Sequence, residues 1–148
     1  LSGQGGRLFL ELRDKQALAY QVTAFTQEAL DPGYFCVYMA TDPKKLSKAV
    51  DGIRVELEKL RQDGLSQEEL DRNKRQIVGG FEIDLQRAAA RAANLAFNDR
   101  YGLGYQEYME YPKHVLAVTR DEVVAVARRI LDPQKSALAV CRPADTPT

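Results

Sequence analysis

Residues 6–20 read Gly6-Arg7-Leu8-Phe9-Leu10-Glu11-Leu12-Arg13-Asp14-Lys15-Gln16-Ala17-Leu18-Ala19-Tyr20. Two periodicities meet in this stretch. Leu8, Phe9 and Leu12 fall on one helical face, which predicts a short helix from Arg7 to about Gln16. From Tyr20 the period drops to two. Tyr20, Val22, Ala24 and Thr26 then face one way, and Gln21, Thr23, Phe25 and Gln27 the other, as in a half-buried strand. A glycine-rich loop, Ser2-Gly3-Gln4-Gly5-Gly6, leads into the helix.

The pattern continues on the C-terminal side. Ala29-Leu30-Asp31-Pro32-Gly33 has the composition of a turn, with proline setting one position and glycine tolerating positive φ. Residues 34–40 form a second apolar run, so the two strands are expected to pair as an antiparallel hairpin. Asp42-Pro43 opens a helix where the missing proline N–H costs nothing. Leu46, Ala49, Val50, Ile53, Leu57 and Leu60 keep helical spacing within it, and Gly64 ends it. Ser66 with Glu69 is a capping-box pair that starts a helix to about Ala96. Gly79-Gly80 should bend or interrupt that helix, and the alanine-rich residues 88–96 should pack closely. Tyr101-Gly102-Leu103-Gly104 is a connector, followed by a short helix from about Tyr105 that Pro112 bends or ends. Thr119 and Glu122 make another capping box for a helix to about Leu131, which Asp132-Pro133 breaks. Residues 137–141 read as a last strand, and the proline-rich tail 142–148 is expected to fray.

This order describes an α+β fold with an antiparallel sheet and helices packed on one face. Its three predicted strands leave edges of the kind that natural proteins cover. A further strand is therefore expected from upstream of Leu1 or from a partner, and the chain reads as an N-terminally truncated piece of something longer.

The 148 residues suit one domain, 1–148. The 21 lysines and arginines balance 21 aspartates and glutamates, which argues against nucleic acid or an anionic membrane surface as partner. No apolar run approaches the roughly 18 residues of a membrane span. The first residues lack both the basic region and the apolar stretch of a signal peptide. Cys36 and Cys141 lie in apolar, strand-like runs and are expected as buried thiols, or as a single bridge between neighbouring strands.

The catalytic inventory is short. His114 is the only histidine, so no H-x-x-E-H zinc motif is present, and no G-x-S-x-G elbow accompanies it. The opening glycines lack the lysine of a phosphate-binding loop. Glu56, Glu58, Glu68, Glu69 and Asp71, set among basic residues, read as surface charge. Arg13 and Tyr20 stand apart, because a tight helix-to-strand connection could bring them to one place. Guanidinium and phenol are both donors, suited to a peptide carbonyl or a developing oxyanion. Their spacing by itself would equally fit a surface ion pair and a core tyrosine.

The complete string 6–20 closely resembles the segment "SRLF-x-E-[LV]-R-x-K-x-x-L-[AG]-Y" of the C-terminal halves of insulinase/pitrilysin-type zinc metallopeptidases, the inverzincins. "GYFCVYMATDPKKLSKAV" and "GLSQEELDRNKRQIVGGFEIDLQ" resemble the hairpin, helix and helical part that follow in that family. The resemblance covers about Ser2 to about Val140. It implies a half-barrel domain of the LuxS/processing-peptidase type that lacks its first strand and helix. It also implies no metal in this chain, with zinc held through H-x-x-E-H on a homologous domain or subunit, and a peptide as substrate. Arg13 and Tyr20 match the family's substrate-binding arginine and tyrosine. They would hold the substrate backbone and stabilise the tetrahedral intermediate of zinc-water attack. Such a chain cannot be a peptidase by itself. The alternative it leaves open is a non-proteolytic scaffold or assembly subunit of the same architecture, as in the respiratory-complex core proteins.

Overall fold

A computed structural model describes residues 1, 3, 5–29 and 33–143. The predicted turn at 29–33 lies largely outside these residues, as do parts of the opening glycine loop and the end of the tail. The fold is α+β and mostly helical, with a small antiparallel sheet. The chain forms two compact units, Leu1–Asp63 with Ala127–Thr148, and Gly64–Val126.

In the first unit the predicted N-terminal helix is present, but its hydrogen-bond ladder is π-type over Phe9–Lys15. It is followed by β1 (Gln21–Gln27) and β2 (Tyr34–Ala40), which pair antiparallel with Val22 opposite Met39 and Phe25 opposite Cys36. The alternation expected of β1 is observed at its centre, while Tyr20 and Thr26 of the expected inward row are exposed. Val22 is buried and Ala24 packs inward, whereas Phe25 faces out. Leu8, Leu12, Leu18 and Val22 form the core cluster, flanked by Val37, Met39 and Ile53. Helix α1 (Leu46–Asp63) follows a 3-10 turn at Pro43–Lys45, where the Asp42 carboxylate accepts the Lys44 N–H at 2.8 Å.

Gly52 sets how closely α1 meets the N-terminal helix. A Cβ there would lie 2.8 Å from Leu12 Cδ2 and 3.6 Å from Leu18 Cδ1. Leu12 is fully buried and has nowhere to retreat. One turn on, Glu56 departs from the expectation of surface charge: it is 3% exposed. Its carboxylate accepts Lys59 Nζ at 2.6 Å. That hydrogen bond, and then the charge of Glu56, raises the Lys59 ammonium above its ordinary value. The position faces the N-terminal helix rather than solvent, and i,i+3 spacing lets a lysine from the same helix neutralise it.

In the second unit, α2 (Gln67–Asp84) starts at Ser66, whose hydroxyl accepts the Glu69 N–H at 3.1 Å. The helix continues through Gly79-Gly80 without the interruption those glycines offered. A Cβ at either glycine would meet nothing within 4 Å, so neither marks a close approach. The break falls later, at Leu85-Gln86-Arg87, where Arg91 Nη1 donates to the Leu85 carbonyl at 2.9 Å and supports the end of α2. Helix α3 (Ala88–Arg100) begins there. Its alanine-rich part is mostly exposed, so the expected close packing of residues 88–96 is not observed. Helix α4 (Glu107–Ala117) continues through Pro112, with Phe81 of α2 stacked 4.6 Å from Tyr111.

Helix α5 (Arg120–Ile130) starts at the predicted capping box. Glu122 Oε2 accepts the Thr119 backbone N–H at 2.7 Å and its hydroxyl at 2.8 Å. The helix ends before Asp132-Pro133, as expected.

Residues 136–143 form no strand, which corrects the expected third strand at 137–141. Leu138 and Val140 are 63% and 46% exposed. An apolar run becomes a strand only where a neighbouring edge takes its N–H and C=O groups, and none does so among the described residues. Cys141 is consequently exposed rather than buried, and Cys36 in β2 is half-buried. Both are free thiols.

Three outcomes follow from these contacts. Gly52→Ala should destabilise the fold by about 1–3 kcal/mol through overpacking against Leu12, measured by denaturant titration. Gly79→Ala and Gly80→Ala should each raise stability by about 0.5–1 kcal/mol, because both are helical and face open space. The Glu122 carboxyl is held below its ordinary value, chiefly by the Thr119 N–H and then by the Thr119 hydroxyl. A depressed folded-state value adds stability above the usual carboxylate range, and that contribution is lost as pH falls through the folded value. Glu122→Gln should therefore melt lower than wild type at neutral pH, with the gap closing in strong acid.

Candidate substrate-binding site

Arg13 lies in the C-terminal half of the π-helix and Tyr20 just before β1, at the two ends of one connection. The wide helical turn closes through two bonds. Ala17 N–H donates to the Arg13 carbonyl at 3.0 Å, and Leu18 N–H to the Leu12 carbonyl at 2.8 Å. Ala17 takes the left-handed conformation, φ 48°, that reverses the chain into the strand. Leu18 is then driven into the core beside Leu12.

Three contacts with the β2–α1 junction fix this connection. Thr41 Oγ1 donates to the Leu18 carbonyl at 2.6 Å, Lys45 Nζ to the Ala17 carbonyl at 2.8 Å, and Tyr20 N–H to the Ala40 carbonyl at 2.9 Å. The two side-chain tethers, from Thr41 and Lys45, reach across 23 and 28 residues, and short-range sequence patterns carry no trace of them.

Both candidate side chains are free to meet a ligand. Tyr20 is 83% exposed, and its hydroxyl has no hydrogen-bond partner among the described residues. Arg13 is exposed and in no ion pair among the described residues, and its guanidinium carbon sits 4.6 Å above the centre of the Phe9 ring. The two side chains do not bond to each other. Sequence periodicity assigned Phe9 to the core face only. The i,i+4 spacing of Phe9 and Arg13 was the available sign of their contact.

An open groove of about 610 Å³ between the π-helix and α1 is lined by Glu11, Gln16, Leu18, Lys48, Gly52 and Glu56 among others, and touches neither Arg13 nor Tyr20. His114 lies in α4 with its Nδ1 2.8 Å from Glu107 Oε1. Among the described residues no three histidine, cysteine, aspartate or glutamate side chains converge as a metal site. Those residues therefore offer no donor set that fits zinc. Among the same residues no helix is long and apolar enough to cross a membrane.

Comparison with known proteins identifies the family and the fold. An uncharacterized zinc protease of Streptomyces coelicolor is 29% identical over 134 residues, covering 90% of this chain and 29% of the relative. One from Bacillus subtilis is 26% identical over 137 residues, covering 93% of this chain and 33% of its own length. The chain thus spans about a third of the curated relatives it matches. The peptidase M16 inactive domain of Pseudomonas fluorescens superposes with a TM-score of 0.79 at 22% identity, over 88% of this chain and 31% of that one, and so shares the fold. The family model described as "Peptidase M16 inactive domain" matches residues 1–77, just over half of the 148. By that match, the chain belongs to the peptidase M16 inactive-domain family.

Proposed function

We propose that this chain is the zinc-free, substrate-binding part of a zinc metalloendopeptidase, with the zinc site on another domain or subunit. The observation that carries the reading is the state of Arg13 and Tyr20. Both are exposed, both lack a polar side-chain partner among the described residues, and both flank a connection tethered at Ala17, Leu18 and Tyr20. A cation and a phenol each left without a polar partner among the described residues are poor for stability and good for an incoming acceptor. The relatives being zinc proteases supports the reaction class.

In this role the five N–H donors of Arg13 and the hydroxyl of Tyr20 hold a backbone carbonyl of an extended peptide. As that carbonyl becomes tetrahedral, negative charge collects on its oxygen and the same donors bind it more tightly than in the ground state. The tethered connection limits how far the donors must reorganise. Zinc, when bound on its own domain or subunit, supplies a Lewis acid and an activated water.

In the complete zinc protease, Arg13→Ala and Tyr20→Phe should each lower kcat/KM by about 10²–10³-fold, with the zinc content by elemental analysis unchanged. Wild-type rates in both variants would sink the proposal and favour the scaffold role.

A further inference from the structure

Arg13 is the functional candidate, yet no carboxylate holds it. Its neighbour Glu11 is engaged by Lys15 at 2.7 Å, and among the described residues Arg13 makes no ion pair. The guanidinium instead rests on the face of Phe9, 4.6 Å from the ring centre. Phe9 is half-buried and packs against the Leu8–Leu12–Leu18–Val22 cluster, so the ring is a fixed surface rather than a mobile one.

The two ways of holding an arginine differ in what they leave available. A carboxylate partner binds the N–H fork edge-on and takes up the donors that a substrate carbonyl needs. An aromatic ring attracts the cation through its face and leaves the in-plane N–H groups free. Stacking also confines a long side chain that would otherwise lose rotamer entropy on meeting its ligand.

We infer that Phe9 is a positioning residue for Arg13, holding the guanidinium by cation–π stacking with its N–H edge free for the substrate carbonyl. This rests on Arg13 being a substrate contact. Phe9 does not itself bond to the reacting atoms; it sets where Arg13 stands when the substrate arrives.

The test uses the complete zinc protease with Phe9→Leu, Phe9→Tyr, Arg13→Ala and the double variant Phe9→Leu/Arg13→Ala. Leucine keeps an apolar side chain in the core but has no ring face; tyrosine keeps the face. Phe9→Leu should lower kcat about two- to fivefold with KM little changed, the loss expected from an exposed cation–π contact. Phe9→Tyr should recover most of that loss, and Phe9→Leu should add nothing in the Arg13→Ala background. The Arg13 Nε–Hε resonance should be displaced by the ring in wild type and Phe9→Tyr, and should move in Phe9→Leu. Equal losses in the leucine and tyrosine variants would overturn the proposal. So would the same fractional loss from Phe9→Leu with and without Arg13, because both results describe packing alone. An impaired Arg13→Ala with an additive Phe9→Leu removes the role of Phe9 and keeps that of Arg13. Wild-type rates in Arg13→Ala remove both.

Discussion

The contact between Leu12 and Gly52 decides the geometry of everything around it in the first unit. Leu12 is completely buried, and only the absence of a Cβ at Gly52 lets α1 come close enough to cover it. Burying Leu8 and Leu12 contributes about 3–6 kcal/mol together, against about 1 kcal/mol for each tether of the connection. Packing therefore supplies the stability. The hydrogen bonds from Thr41 and Lys45 decide where the chain turns between helix and strand. With the π-helix held on α1 and Leu18 drawn in beside Leu12, Arg13 and Tyr20 are left outside the core on either side of one fixed bend.

Charge is managed differently at two places in the same unit. Glu56 is buried, and it is neutralised by Lys59 within its own helix. Arg13 is exposed and has no counter-ion among the described residues, resting on an aromatic face instead. The first arrangement satisfies the buried carboxylate from within its own helix. The second keeps the donors of Arg13 open, and that contrast separates a structural ion pair from a side chain available to a ligand.

Much of the fold was legible because its signals are local. The capping boxes at Ser66 and Thr119, the stop at Gly64 and the alternation through β1 all depend on residues within a turn of one another. The misses share a different origin. Gly79-Gly80 lowers helix propensity, but α2 continues through it, and the break at residues 85–87 is supported by Arg91 from the next helix. The apolar run 137–141 had strand composition without an edge to join. Residues 88–96 had the composition for close packing and are largely exposed. Composition measures what a segment tolerates. It does not say which neighbour is present.

The sequence by itself determined the hairpin, most helix starts and stops, and the string 6–20 in which Arg13 and Tyr20 stand. Those features arise from dihedral preference, capping chemistry and side-chain period, each of which acts over a few residues. Only the tertiary structure decided that Glu56 is inside, that the connection is tied down from residues 41 and 45, and that Phe9 lies beneath Arg13. It also decided that the N-terminal helix widens to a π ladder as it meets the turn at Ala17. Burial, long-range tethers and the choice between competing helical ladders depend on which surfaces meet. That choice is made by packing against α1 and the hairpin, not by the residues of the segment alone.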